Sequence, residues 1–192
     1  MTPGAAIAYL LLSYGLGGVL TGYWIARLKD GGDLRSLGSG NPGARNAGRI
    51  YGKGAFIATF AGDALKGAWV VGCAKWIEPS SVFILAALLA VVLGHMYPVW
   101  LSFRGGKGMS VFCGGAVLLD WRIWLVMLAV AAVLVVVLRS WTPAGLIGVS
   151  AFPLLWLLFH WETGPMLLGA AVAAVIVNAH RDNVRQLWMK RS

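Results

Sequence analysis

The chain alternates between long apolar runs and short polar interruptions, and within the runs the apolar residues are continuous. Seven runs can be marked, at residues 5–26, 55–76, 81–100, 109–119, 122–138, 145–160 and 164–179. A helix needs about 17–25 predominantly apolar residues to cross a bilayer, and several of these runs reach that length. The pattern predicts an all-α integral membrane protein with about seven transmembrane helices. A β-barrel would show polar and apolar positions in strict alternation. The fourth run is short for a full crossing, so a count of five or six spans stays open. No linker, low-complexity tract or internal repeat divides the sequence, which predicts one polytopic membrane domain over residues 1–192. The first run has no basic residue before it, and reads as a transmembrane helix rather than a cleaved signal peptide.

Composition agrees: 59% of the residues are hydrophobic and 12% are charged, too apolar for an ordinary soluble domain. The net charge of +9 would suit a nucleic acid, but its distribution argues otherwise. With seven spans and the N-terminus outside, 13 of the 16 Lys and Arg residues fall on one side, from Arg27 through to Lys190 and Arg191. Lys75 and Arg122 fall on the other side, and Lys66 lies within a span. This bias places the basic face and the C-terminus in the cytoplasm. Such a face attracts anionic lipid headgroups and small phosphorylated substrates. Cys73 and Cys113 lie apart in apolar runs without metal-ligand companions, so neither a disulfide framework nor a zinc site is indicated.

Three polar stretches on that face carry the unusual chemistry. The first, "DLRSLGSGNPGARNAGRIYGKG" at residues 33–54, has six glycines interleaved with Ser39, Asn41, Arg45, Asn46 and Arg49. Glycines permit the close backbone approach and positive φ from which anion-binding nests of N–H groups are built. A flexible connection would explain the glycines but not the Ser, Asn and Arg placed between them. The second, "GHMYPVWLSFRGGKG" at residues 94–108, ends on Arg104, Gly105, Gly106, Lys107 and Gly108. It resembles a fragment of a phosphate-binding loop but lacks the spacing and hydroxyl of a nucleotide-binding P-loop, which argues against an ATPase. His95 there can be a site residue or an interfacial histidine packed near Tyr97.

The third stretch, "NAHRDNVRQLWMKRS" at residues 178–192, closes the last predicted helix. His180 and Asn183 are three apart and would share a helical face. Lys190 and Arg191 read as a basic tail reaching lipid headgroups. One further feature lies within a span: Asp63 and Lys66 in "DALKG" have ion-pair spacing. Ionisable groups at membrane depth normally face a polar cavity or each other. A structural pair pinning this helix to the first loop is expected, ahead of a direct substrate contact.

In that order and spacing, "GSGNPGARNAGR", "DALKG", "GHMYPVWLSFRGGKG" and "HRDNVRQL" resemble the PlsY family, the bacterial acyl-phosphate:glycerol-3-phosphate acyltransferases. The resemblance covers essentially the whole chain. It implies a seven-helix enzyme of the bacterial cytoplasmic membrane with its motifs on the cytoplasmic side. The implied reaction moves a fatty acyl group from acyl phosphate to the 1-hydroxyl of glycerol 3-phosphate, giving lysophosphatidic acid and phosphate. It implies no metal or other cofactor and no acyl-CoA. The partners are then the two substrates and the bilayer, with no nucleic acid. The oligomeric state stays open, a monomer included.

Carried over by motif, Ser39 and Arg49 are the important residues of the first stretch, with Asn41 and Asn46 beside them. Gly105, Gly106, Lys107 and Gly108 match the glycerol-phosphate motif, and His180 and Asn183 the third. Gly40, Arg45 and Arg104 join the phosphate-binding set, while Asp63, Lys66 and His95 support it. Within this scheme His180 is the candidate base for the attacking hydroxyl, a phosphate oxygen of a substrate being the alternative. Departures occur at Arg45, where the family has Thr, at Ser110-Val111, where it has Ala-Thr, and at Ala179, where it has Arg. An acidic residue expected after "HRDNV" is missing. They imply altered substrate preference, or a divergent paralogue. A carrier for a small phosphorylated anion is the alternative from another class, although the polar groups crowd one face.

Overall fold

The computed structural model describes residues 1–189; Lys190 and Arg191 lie outside the described residues. The described residues form ten α-helices and no strand. In order these are α1 (Pro3–Gly17), α2 (Thr21–Asp30), α3 (Ala44–Tyr51), α4 (Lys53–Ile77) and α5 (Ser81–Met96), then α6 (Met109–Leu119), α7 (Trp121–Leu138), α8 (Trp141–His160), α9 (Thr163–Ala179) and α10 (Arg181–Met189). Five segments are long and apolar enough to cross a membrane: Pro3–Asp30, Lys53–Ile77, Ser81–Leu101, Trp121–Leu138 and Trp141–His160. Met109–Leu119 and Thr163–Ala179 are shorter apolar helices. In hydrocarbon every backbone N–H and C=O needs a partner within the protein, and helices meet that demand segment by segment. Apolar run length is therefore a good guide, and helix positions fall close to the marked runs.

Two expectations need correction. The first run is not one continuous helix, because the chain breaks at Gly18–Leu20 between α1 and α2. The stretch 33–54 is not all loop, because α3 occupies its second half. Ala44–Tyr51 is short and polar on one side, while Ala47 and Ala55 pack with Ala26 and Leu34 in a small core.

The chain divides into two compact units, Met1–Leu119 and Asp120–Ser192. In the first, α1 packs on α5 and α4 on α6. Small residues set both contacts. Gly17 lies against the Val91 backbone and Gly94 against the Tyr14 carbonyl, while Gly67 meets the Val111 carbonyl and Gly114 that of Ala64. A methyl at any of these glycines would overlap the facing backbone, so the close approach requires glycine.

In the second unit α8 packs on both α7 and α9, and the Phe152 ring lies against Gly169. Asp120 caps α7: its carboxylate accepts from the Arg122 N–H at 2.8 Å and the Arg122 guanidinium at 2.7 Å. It also pairs with His160 Nε2 at 2.9 Å. The hydrogen-bonded Arg122 guanidinium, helped by the Arg122 N–H and His160, holds Asp120 well below the usual carboxylate range. A carboxyl depressed on folding contributes stability that is whole above its unfolded pKa, about 3.9, and is lost as pH falls toward the folded value. Melting of the detergent-solubilised protein is expected to drop as pH goes from about 6 to about 3, and Asp120→Asn to flatten that slope. An unchanged slope in Asp120→Asn would remove Asp120 from the acid response.

Candidate functional site

The first unit brings two of the three polar stretches together, and the residue that does so is Arg35. It sits in a 3-10 turn, Leu34–Ser36, that follows Asp33. The Asp33 carboxylate accepts from Arg35 Nε at 3.0 Å and Nη2 at 2.7 Å. The remaining Arg35 nitrogen, Nη1, donates to the Leu101 carbonyl at 2.8 Å. The guanidinium also lies over the Tyr23 ring, 5.4 Å from its centre. The Arg35 hydrogen bond keeps Asp33 ionised below its ordinary range. Neither residue was singled out from the sequence. The signal was available: Asp-x-Arg occurs at 33–35 and again at 120–122, each time with the carboxylate capping the turn and holding the arginine.

Around Ser39 the chain is shaped by Asn46. This side chain is buried. Its Oδ1 accepts from the Ser39 N–H at 2.9 Å, and its Nδ2 donates to the carbonyls of Leu37 at 2.8 Å and Leu34 at 3.2 Å. Gly38 and Gly40 adopt left-handed φ, +57° and +72°, which glycine accepts without strain. Asn41 Oδ1 accepts from the Gly43 N–H at 2.8 Å, a local turn. Asn46, expected to bind substrate phosphate, thus has both ends engaged in building the loop. Ser39, Gly40, Arg45 and Arg49 are exposed, the two arginines four residues apart on α3.

The second stretch turns back on itself. A 3-10 turn at Val99–Leu101 leads to Ser102 and Phe103, both left-handed at φ 54° and 58°. The Gly105 N–H then donates to the Met96 carbonyl at 3.0 Å, and the Gly106 N–H to the His95 carbonyl at 2.9 Å. These two amides tie the loop to the end of α5. Of the amides expected to hold a phosphate over 105–108, those of Gly105 and Gly106 are thus engaged within the chain. Gly108, at φ +79°, turns the chain into α6. The opening N–H groups of a helix have no intrahelical partner and favour anions. Lys107 is half-buried and Arg104 exposed.

Beneath this loop lies a buried polar chain. Lys66 Nζ is 2.8 Å from Asp63 Oδ1, 2.7 Å from the Val19 carbonyl and 3.0 Å from His95 Nδ1. Asp63 Oδ1 also accepts from Thr21 Oγ1 at 3.1 Å and the Thr21 N–H at 3.4 Å. The expected Asp63–Lys66 pair is present, but it anchors α4 to the break between α1 and α2 rather than to the loop at 33–54. The charges match that break: the ammonium meets the Val19 carbonyl within it, and the carboxylate meets the first N–H of α2. His95 is buried at 3% exposure and belongs to this network rather than to an interfacial contact with Tyr97.

The third stretch belongs to the second unit. His180 and Asn183 do not share one continuous helix: His180 ends α9, and Asn183 lies in α10. Val184 N–H donates to the His180 carbonyl at 3.1 Å, so His180 is also the residue from which α10 starts. Its Nδ1 is 2.8 Å from the Ile176 carbonyl. A carbonyl can only accept, so Nδ1 carries the proton and Nε2 keeps the lone pair in the neutral ring. In that tautomer Nε2 is the basic nitrogen.

Residues 7–190 match the glycerol-3-phosphate acyltransferase family model. Glycerol-3-phosphate acyltransferase 1 of Bacillus cereus is 42% identical over 174 residues, covering 91% of this chain and 94% of that protein. The enzyme of the same name from Desulfitobacterium hafniense is 36% identical over 183 residues, covering 95% and 91%. Among solved structures, PlsY (YgiH), an integral membrane glycerol 3-phosphate acyltransferase in its glycerol 3-phosphate form, superimposes with a TM-score of 0.89 at 31% identity. That match covers 98% of this chain and 94% of the other, and the lysophosphatidic acid form gives a TM-score of 0.86.

Proposed function

The chain belongs to the glycerol-3-phosphate acyltransferase family, and from that premise we propose that it transfers a fatty acyl group from acyl phosphate to the 1-hydroxyl of glycerol 3-phosphate. The products are lysophosphatidic acid and phosphate. The similar structures in glycerol 3-phosphate and lysophosphatidic acid forms support the acceptor and the product. The observation that carries the reading here is the Arg35 clamp, which holds the two glycine-rich stretches of the first unit side by side. The relatives are acyltransferases, and the carrier alternative is not favoured.

The protein forms one membrane domain of seven spans, with the N-terminus outside and the basic face in the cytoplasm. The basic-residue bias supports that orientation. Five helices satisfy the length and apolarity of a span; α6 and α9 are the two shorter ones. At 11 residues α6 is about 16 Å long, short of a roughly 30 Å hydrocarbon core.

Acyl phosphate is a mixed anhydride, so no covalent nucleophile is required. The acceptor hydroxyl oxygen bonds to the acyl carbon, the carbon–oxygen bond to phosphate breaks, and phosphate leaves with the bonding pair. The hydroxyl proton goes to His180 Nε2, with Asn183 orienting the substrate. Lys107 and the start of α6 hold the phosphate of glycerol 3-phosphate. Arg49 and Arg45 hold the acyl-phosphate group, and the Ser39 hydroxyl steadies the carbonyl oxygen. The contribution of such groups is positioning and stabilisation of developing charge.

Purified protein given acyl phosphate and glycerol 3-phosphate is expected to form phosphate and lysophosphatidic acid in equal amounts. Lys107→Ala is expected to raise KM for glycerol 3-phosphate by about tenfold to a hundredfold, the loss of one charge-assisted contact. Phosphate release without lipid product would replace the transferase by an acyl-phosphatase. No turnover by well-folded protein would sink the proposal.

A further inference from the structure

Resting on the reading of 105–108 as the glycerol-phosphate loop, we propose that His95 is a positioning residue: its ring, locked by Lys66, is the floor against which Gly106 sets this loop. An ammonium has three N–H donors and no acceptor. Those of Lys66 meet the Val19 carbonyl, Asp63 Oδ1 and His95 Nδ1. His95 Nδ1 must then accept, which puts the ring proton on Nε2 and turns that edge of the ring toward Gly106. A Cβ built on Gly106 would overlap His95 Nε2 and the two ring carbons beside it.

The ring cannot swing aside without stripping Lys66 of a partner at a buried site, where Lys66 and His95 are 7% and 3% exposed. Gly106 itself is not in the left-handed region, unlike Gly108. Its φ therefore gives no left-handed reason for glycine, and the nearest obstacle to a side chain there is the His95 ring. The Gly106 N–H bond to the His95 carbonyl holds the loop from the other side. Through these contacts the α1–α2 break, α4 and the end of α5 jointly fix where Lys107 stands. A polar chain within a span is thus given a use in the site: it converts helix packing into loop position.

The test is a size exchange between residues 95 and 106. Asparagine places an acceptor near the position of His95 Nδ1 and has nothing near Nε2, so His95→Asn keeps Lys66 partnered and opens space under Gly106. Glutamine does the reverse. Gly106→Ala is expected to raise KM for glycerol 3-phosphate at least tenfold with kcat within about threefold. Adding His95→Asn should lower that KM again by about fivefold or more, whereas adding His95→Gln should not; coupling on this scale is typical of residues in direct contact. A merely structural defect would reduce the active fraction, hence kcat, and leave KM alone.

If Gly106→Ala gives no folded protein, recovery of folded protein on adding His95→Asn, and not His95→Gln, is read instead. Equal effects of Asn and Gln, or an unaltered KM in Gly106→Ala, would overturn the positioning role. Absence of turnover in the unsubstituted protein would overturn the transferase reading. Normal turnover without coupling overturns only this one.

Discussion

Lys66→Met is expected to cost the protein about 3–5 kcal/mol, the usual loss when one partner of a buried ion pair is removed. For a chain of this size that is a fall of about 6–20 °C in melting temperature. Lys66 and Asp63 are 7% and 1% exposed, so neither charge is shared with solvent. Among the described residues, Asp63 without the ammonium keeps the Thr21 donors and the neighbouring His95 ring, whose Nδ1 is 3.8 Å away, while the Val19 carbonyl and His95 Nδ1 lose their donor. The expensive element is the stranded carboxylate, because a buried charge without a countercharge is costlier than an apolar pair. Adding Asp63→Asn to Lys66→Met is therefore expected to recover most of the loss. Scanning fluorimetry of the two variants in detergent checks both statements. A Lys66→Met protein melting within a degree or two of the unsubstituted one would show that the pair does not hold the α1–α2 break.

His180→Ala is expected to lower kcat by about a hundredfold to ten-thousandfold, the range for loss of a general base. KM for both substrates should stay within a few-fold, because the role assigned to His180 is proton transfer rather than phosphate binding. The geometry behind this is the Nδ1–H bond to the Ile176 carbonyl, which makes Nε2 the basic nitrogen. Steady-state kinetics against each substrate distinguish the outcomes. A raised KM with nearly unaltered kcat would make His180 a binding residue and pass the proton to a substrate phosphate oxygen. Asn183, one helix further on, would show its orienting role as a smaller loss in kcat.

The helices of this protein were legible from its sequence because each depends on a local property. Run length and apolarity decide whether a segment can satisfy its own backbone in hydrocarbon, and no distant residue is needed for that. The motifs were legible too, since Gly, Asn, Arg and Lys at short spacing are a local signature. The failures share another origin. The break after Gly17 is held by Lys66 and Asp63, which lie 47 and 42 residues from their partners Val19 and Thr21. The partner of Arg35 is a carbonyl 66 residues away, and α3 forms where Ala47 finds Ala26 and Leu34 to pack against. Asn41 and Asn46 look alike in the sequence, yet Asn46 is buried and shapes the loop, because Leu34 and Leu37 turn their carbonyls toward it. The sequence by itself determined the helical membrane class, the family and the set of chemical groups. Only the tertiary structure decided which of those groups hold the loops, since a polar side chain takes its role from partners that packing brings within hydrogen-bond reach.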